Sequence, residues 1–325
     1  MSEDYLTVDP WKIVEERFDP ERVPCSESLF SLGNGEWGGR ANFEERYSGP
    51  SLQGNYIGGV YYPDRTRVGW WKNGYPEYFA KVLNAAFWIG VEVEVNGEPL
   101  DLASVCVESF RRELDMREGV LRRRMTVRMR NGVRVCAAID RFLPLEHREA
   151  GVVRYAVTLP DCDAEVRFTP FIDADVRNAD ANYDEKFWTH AATEPDAVCM
   201  RTLRSGFGAA WAQVCRLDGA RFETVTCGER VAQTAAVRVA RGGTAVLRKY
   251  AGICSTLNHP EAELVGAARR AASEAAAIGF EALAAEQSAA WARRWHGCDV
   301  VIEGDAKAQQ GIRFCIFMLL QTYAG

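Results

Sequence analysis

A chain of 325 residues that is 47% hydrophobic and carries 9 Trp, 11 Tyr and 15 Phe is too rich in core-forming side chains to be a disordered segment. It is long enough for about two domains, or for one large β domain with an appendage. A formal net charge of −6 speaks against a nucleic-acid binder, and no run approaches the roughly 18 apolar residues of a membrane span.

Residues 1–10 have neither a basic start nor an apolar run, so no signal-peptide pattern is present. A cytoplasmic protein without nucleic-acid or membrane partners is expected. The first motif is ESLFSLGNGEWGG at residues 27–39, with Gly33, Gly35, Gly38 and Gly39. Its spacing matches neither dinucleotide-binding nor P-loop patterns, and Asn34-Gly35 reads as a hairpin turn. Residues 61–81, YYPDRTRVGWWKNGYPEYFAK, crowd aromatic rings among Pro, Gly and charged groups. Two readings stay open: rings that pack on the apolar faces of sugars, or a domain or dimer contact rich in Trp, Tyr and Arg. Trp70 and Trp71 are adjacent, Lys72-Asn73-Gly74 breaks a strand, and Pro76 removes a ladder donor. The segment 67–79 is therefore expected to project as a loop.

Beyond it the β signals are strong. Val91, Val93 and Val95 alternate with Glu92 and Glu94 before Asn96-Gly97. Met125, Val127 and Met129 alternate with arginines before Asn131-Gly132, and Val133, Val135, Ala137 and Ile139 return. Arg111, Arg112, Arg117, Arg122, Arg123, Arg124, Arg128 and Arg130 read as the solvent side of these strands. Further strands are expected at 152–159, 164–170, 210–217, 221–225, 235–240 and 244–254. Such a run of antiparallel strands predicts a mainly β protein built on a large sandwich. Between them, DADVRNADANYDEKFW at 173–188 departs from a calcium loop, because Arg177 takes a ligand position and the central glycine is missing. Asp173, Asp175, Asp184 and Glu185 also invite comparison with a glycosidase acid pair, but a hydrogen-bonded loop is the simpler reading.

From Pro260 to Trp295 the chain turns rich in Ala and Glu, which predicts one or two helices broken near Gly279, with Asn258 as N-cap. After a short apolar piece at 300–302, residues 306–323 form another helical pattern. Ile312, Cys315, Ile316, Leu319, Leu320 and Tyr323 share one face of it. Such a face needs a cover, so the chain is expected to be the front part of a longer protein; a helix docked on the sandwich is the alternative. Ten dispersed cysteines read as buried free thiols. His147, His190, His259 and His296 share no ligand spacing, so no metal site is expected.

Several of these stretches also carry a family resemblance. ESLFSLGNG (27–35), NFEERYSG (42–49), the segment 52–85, IDADVRNADANYDEKFW (172–188) and AQQGIRFCIFMLLQTYAG (308–325) together resemble the N-terminal part of glycoside hydrolase family 65 phosphorylases. Phe87-Trp88, Cys315 and Met318 depart from the pattern as packing substitutions. The resemblance implies a super-sandwich at 1–258, a helical linker at 259–304, and at 305–325 the first helix of an (α/α)6 catalytic barrel. It implies inverting phosphorolysis of an α-glucosyl disaccharide to β-glucose 1-phosphate and glucose, with inorganic phosphate as co-substrate, no other cofactor, and a homodimer at full length. The family's general-acid glutamate and phosphate site are expected beyond Gly325. No catalytic residue is therefore assigned here, Glu44, Glu45, Asp173 and Glu185 included, and the chain is expected to be inactive alone. The stretch 70–79 resembles the maltose-type members, which favours maltose over trehalose or kojibiose. The candidate substrate or interface loop comprises Arg67, Trp70, Trp71, Lys72, Asn73, Tyr75 and Tyr78. A non-catalytic carbohydrate-binding or dimerisation module is the competing expectation.

Overall fold

The computed structural model describes residues 5–67 and 74–323. The described residues build two large antiparallel sheets packed face to face. The larger has ten strands in the spatial order Thr7–Asp9, Lys12–Glu15, Cys106–Asp115, Val120–Arg128, Arg134–Phe142, Ala150–Thr158, Thr244–Ser255, Gly208–Leu217, Ala197–Thr202 and Trp188–Glu194. The smaller runs Glu223–Thr224, Arg230–Val239, Ala164–Asp173, Val91–Val95 and Glu98–Pro99. Alternation drives the packing. Val91, Val93 and Val95 are fully buried while Glu92 and Glu94 face outward. Against them the larger sheet presents Val127, Val135, Ile139, Tyr155, Val157 and Leu247, all within one core.

The expected hairpins form. Asn96 and Gly97 both take positive φ, at 52° and 79°, the conformation a tight two-residue turn demands. The strand expected at 221–225 shrinks to Glu223–Thr224. The arginine-rich strands need a larger correction. Arg112 and Arg123 are not on the solvent side; they are 1% and 3% exposed. The buried thiols also need one: Cys199 and Cys254 are buried, but Cys25, Cys106, Cys227 and Cys315 are exposed.

Two long helices cover the outer face of the larger sheet. α1 (Val23–Leu29) is short. α2 (Leu264–Ile278) and α3 (Phe280–His296) are separated by Gly279 at φ +88°, so the predicted break falls where glycine permits it. Asn258 does not cap α2. The helix begins at Leu264 after a 3-10 turn, Glu261–Glu263, and the Asn258 amide donates instead to Glu36. Leu264, Ala267 and Ala268 pack on Ala197, Ala210 and Cys254. Phe280 and Leu283 pack on Phe142, Val152 and Tyr250.

α4 (Ala306–Thr322) starts with Asp305 capping the Ala308 amide. It buries an unexpected stripe: Gln309, Arg313, Phe317 and Gln321. Phe317 stacks on Trp291 at 4.6 Å. Arg313 lies over the Trp11 ring at 3.7 Å and pairs with Asp299 at 2.8 Å. The apolar face read from the sequence is only partly covered: Cys315, Leu319 (60%) and Tyr323 are exposed, whereas Ile312, Ile316 and Leu320 are half-buried, the last two against the core. Among the described residues no helix is long and apolar enough to cross a membrane.

Candidate functional site

Two smaller β elements stand against the sandwich. One is a three-stranded sheet of Leu32–Gly33, Trp37–Gly39 and Asn55–Ile57. Its turn is held by Asn34, whose Oδ1 accepts from the Trp37 amide at 2.9 Å, while Gly35 sits at φ +91°. The predicted Asn34-Gly35 turn is therefore present. The other is a ribbon pairing Tyr61–Arg65 with Tyr78–Val82.

Buried charge anchors the segment that follows the three-stranded sheet's second strand. Arg123 pairs with Glu44 at 2.7 Å and with Glu45, and Arg141 pairs with Glu44 at 2.9 Å. Tyr155 donates to Glu45 at 3.2 Å. Arg112 pairs with Glu15 at 2.7 Å and donates to the Ala41 carbonyl at 3.2 Å. Burial pushes the Glu44 carboxyl up, but Arg141 and Arg123 outweigh it and hold it below the usual range. These acids are structural counter-ions to the buried arginines.

The ribbon's two arms flank part of the segment expected as a loop. Asp64, 1% exposed, accepts from Lys81 at 2.8 Å and from the Asn182 amide at 3.0 Å. Tyr62 stacks on Phe187 at 4.1 Å, and burial with help from Glu185 raises its phenol to about 12. Exposed rings cluster here: Tyr61, Tyr75, Tyr78 and Phe79 are 41–48% exposed, and the register puts Tyr61 and Tyr78 on the ribbon's outward face and Phe79 on the other. Arg67 lies over the Tyr183 ring at 4.6 Å, and Arg65, Thr66, Tyr75 and Glu77 line an open cleft beside it. Arg67, Tyr75 and Tyr78 are thus brought to one element. Tyr78 and Phe79, expected in the loop, instead begin the strand Tyr78–Val82 paired with Tyr61–Arg65, and Trp70, Trp71, Lys72 and Asn73 lie outside the described residues.

Two further clefts flank this region. One, of about 690 Å³, lies between the three-stranded sheet and α4, lined by Trp37, Arg40, Tyr56, Met318 and Gln321. The backbones approach closely here: a Cβ on Gly33 would lie 3.0 Å from the Gln321 carbonyl. Sequence reasoning singled out these glycines, but not the helix facing them. The second, of about 450 Å³, combines Phe43, Tyr47, Phe87 and Phe171 with Glu45, Glu92 and Asp173. Burial raises the Asp173 carboxyl. The other acids of that loop are engaged elsewhere. Asp175 pairs with Lys186 at 3.0 Å and Glu185 with Arg204 at 2.9 Å, and Asp173 accepts from the Asp175 amide at 3.0 Å, which fits the hydrogen-bonded loop.

Comparison with known proteins follows this geometry. The profile described as glycosyl hydrolase family 65, N-terminal domain, matches residues 13–294. A maltose phosphorylase of Bacillus subtilis (strain 168) is 38% identical over 98% of the chain and 43% of its own length. An α,α-trehalose phosphorylase of Thermoanaerobacter brockii is 28% identical over 97% of the chain and 43% of its own length. A solved structure, a putative kojibiose phosphorylase from human microbiome, superposes with a TM-score of 0.83 at 23% identity, over 98% of this chain and 42% of its own. That last likeness concerns the fold alone. The chain spans less than half the length of the relatives it matches.

Proposed function

The chain belongs to glycosyl hydrolase family 65, whose N-terminal domain it contains, and from that premise we propose that it is the N-terminal portion of a disaccharide phosphorylase acting on maltose. The observation that carries the substrate is the 38% identity to a maltose phosphorylase, against 28% to a trehalose phosphorylase, over nearly the same span. In this reading phosphate attacks the anomeric carbon of the α-glucosyl unit with inversion, giving β-glucose 1-phosphate and glucose in the cytoplasm.

The chain divides, in the same reading, into a sandwich at 1–258, a linker at 259–304 and the opening of a helical barrel at 305–325. The exposed part of the apolar face of α4, Leu319 and Tyr323, supports this division, because a helix within a barrel has neighbours on several sides. The sandwich supplies no general acid. Its proposed contribution is the substrate or interface segment comprising Arg67, Trp70, Trp71, Lys72, Asn73, Tyr75 and Tyr78, serving the substrate or a second subunit of a homodimer.

The test is an assay of the complete gene product for phosphate-dependent consumption of maltose, trehalose and kojibiose in parallel. Preference for maltose, with no glucose 1-phosphate released by the 325-residue chain alone, is the expected result. Preference for trehalose or kojibiose replaces the substrate, and turnover by the chain alone overturns the division of labour. A second reading, a carbohydrate-binding or dimerisation module, draws on the exposed rings of Tyr61, Tyr75, Tyr78 and Phe79. Sugar titration and sedimentation of the chain separate its two forms.

A further inference from the structure

Away from the ribbon and the clefts, three side chains of metal-ligand type meet where the larger sheet hands the chain to α2. Glu149 immediately precedes the strand Ala150–Thr158, Cys254 lies near the end of Thr244–Ser255, and His259 lies in the loop that leads to α2. The backbone fixes them to one another. The Ile253 amide donates to the Glu149 carbonyl at 2.8 Å, and the His259 amide donates to the Ser255 carbonyl at 3.1 Å. The carboxylate oxygen, thiol sulfur and imidazole nitrogen all lie within 4.8 Å of one another, with His259 Nε2 2.6 Å from Glu149 Oε1. Among the described residues this is the one such grouping of three.

We infer that Glu149, Cys254 and His259 form a zinc-binding site that ties the end of the sheet to the loop entering α2. Thiolate, imidazole and carboxylate are the donors zinc takes, at about 2.0–2.3 Å each, and a small closing movement of side chains brings the three to a common centre. The charges balance: one thiolate and one carboxylate with a neutral imidazole neutralise a divalent ion. Three protein ligands leave a fourth position for water. Access suits metal entry. Cys254 is fully buried against Leu264, Ala267 and Ala268, while the Glu149 and His259 side chains stay 27% and 23% exposed.

Zinc takes cysteine as the thiolate, so its binding displaces the Cys254 proton and replaces the His259–Glu149 hydrogen bond with two bonds to the ion. Spacing analysis of histidines alone misses this grouping, because Glu149 is brought in by the pairing of Ala150 with Gly252.

The purified chain is loaded with zinc, dialysed against a weak chelator, and its metal counted. A parallel titration with Co²⁺ follows the near-ultraviolet thiolate-to-cobalt band. One zinc retained per chain, a thiolate band, and at least one proton released per zinc at neutral pH are expected. Cys254→Ser abolishes the band and weakens zinc retention at least about 10-fold. His259→Gln weakens retention by a similar factor. Cys199→Ser, also buried beneath α2, leaves both unchanged. Absence of retained zinc in the wild type overturns the inference, as does a band that survives Cys254→Ser. Should circular dichroism show that Cys254→Ser does not fold, His259→Gln decides, and unchanged retention in it overturns the site.

Discussion

Gly252 faces the Ala268 carbonyl so closely that a Cβ built on it would lie 1.8 Å from that oxygen. The obstructing atom is helix backbone, which cannot rotate away as a side chain can. Gly252→Ala is therefore expected to force α2 off the sheet and to destabilise the fold by about 3 kcal/mol or more, at the upper end of overpacking costs. Urea unfolding checks this. A loss below about 1 kcal/mol shows that the helix shifts freely.

Arg123 holds two buried carboxylates. Arg123→Met leaves Glu45 without its cationic partner and Glu44 with Arg141 alone, at a cost of about 3–5 kcal/mol. The same pairing sets a pH dependence. Glu44 titrates lower in the folded chain than unfolded, so its contribution is present above the unfolded value of about 4.3. It is lost as pH falls through the folded value, where the native carboxylate takes up its proton. The urea midpoint of the wild type is expected to fall below about pH 4, and less steeply in Glu44→Gln.

Lys249 behaves in the opposite sense. Burial pushes its ammonium down to about 7, against a small opposing effect of Cys215, while its Nζ donates to the Gly90 and Phe171 carbonyls. An unfolded lysine titrates near about 10.4. Between those values the unfolded chain holds a proton that the folded chain lacks, so stability rises with pH. The wild type is expected to gain on Lys249→Met between pH 7 and 9 in parallel urea titrations. A pH-independent difference shows that the lysine is charged when folded.

The two faces of α4 are expected to differ sharply. Phe317→Ala removes a fully buried ring stacked on Trp291 and costs about 3–5 kcal/mol. Leu319→Glu, at a position 60% exposed, changes the stability of the chain by about 0.5 kcal/mol or less. Equal losses at both positions refute this orientation.

On the ribbon, Tyr75→Ala and Tyr78→Ala remove rings that are 48% and 43% exposed. Stability is expected to change by less than about 1 kcal/mol, while maltose turnover by the complete gene product falls. Unchanged turnover removes the ribbon from the proposed function.

Much of the architecture is legible in the sequence. Period-two alternation at Val91–Val95, the Asn96-Gly97 turn and the break at Gly279 each follow from local chemistry that tertiary packing did not override. The burial of Arg112 and Arg123 was not legible. Their partners Glu15, Glu44 and Glu45 are roughly 80–100 residues away in the chain, and a strand arginine without a visible partner reads as exposed. α4 misleads for a related reason. Periodicity selects its apolar face, yet Gln309 is satisfied by Val300 and Ile302 and Arg313 by Asp299, so these two polar residues pack inward at little cost, while Gln321 is buried with its Oε1 unpaired. The Glu149, Cys254 and His259 grouping depends on strand register, which no spacing rule reports.

The order of strands in the larger sheet has a consequence for biosynthesis. Its first six strands, from Thr7–Asp9 to Ala150–Thr158, include no strand later than residue 158, and they meet the remaining four only through the ladder of Ala150–Thr158 with Thr244–Ser255. Ala150 must wait for Gly252, about a hundred residues later. During translation the edge of Ala150–Thr158 therefore stays open until the ribosome has passed Ser255, a delay of several seconds at about 5–20 residues per second. An unpaired edge invites another chain, so expression yield is expected to depend on how quickly residues 159–255 are synthesised.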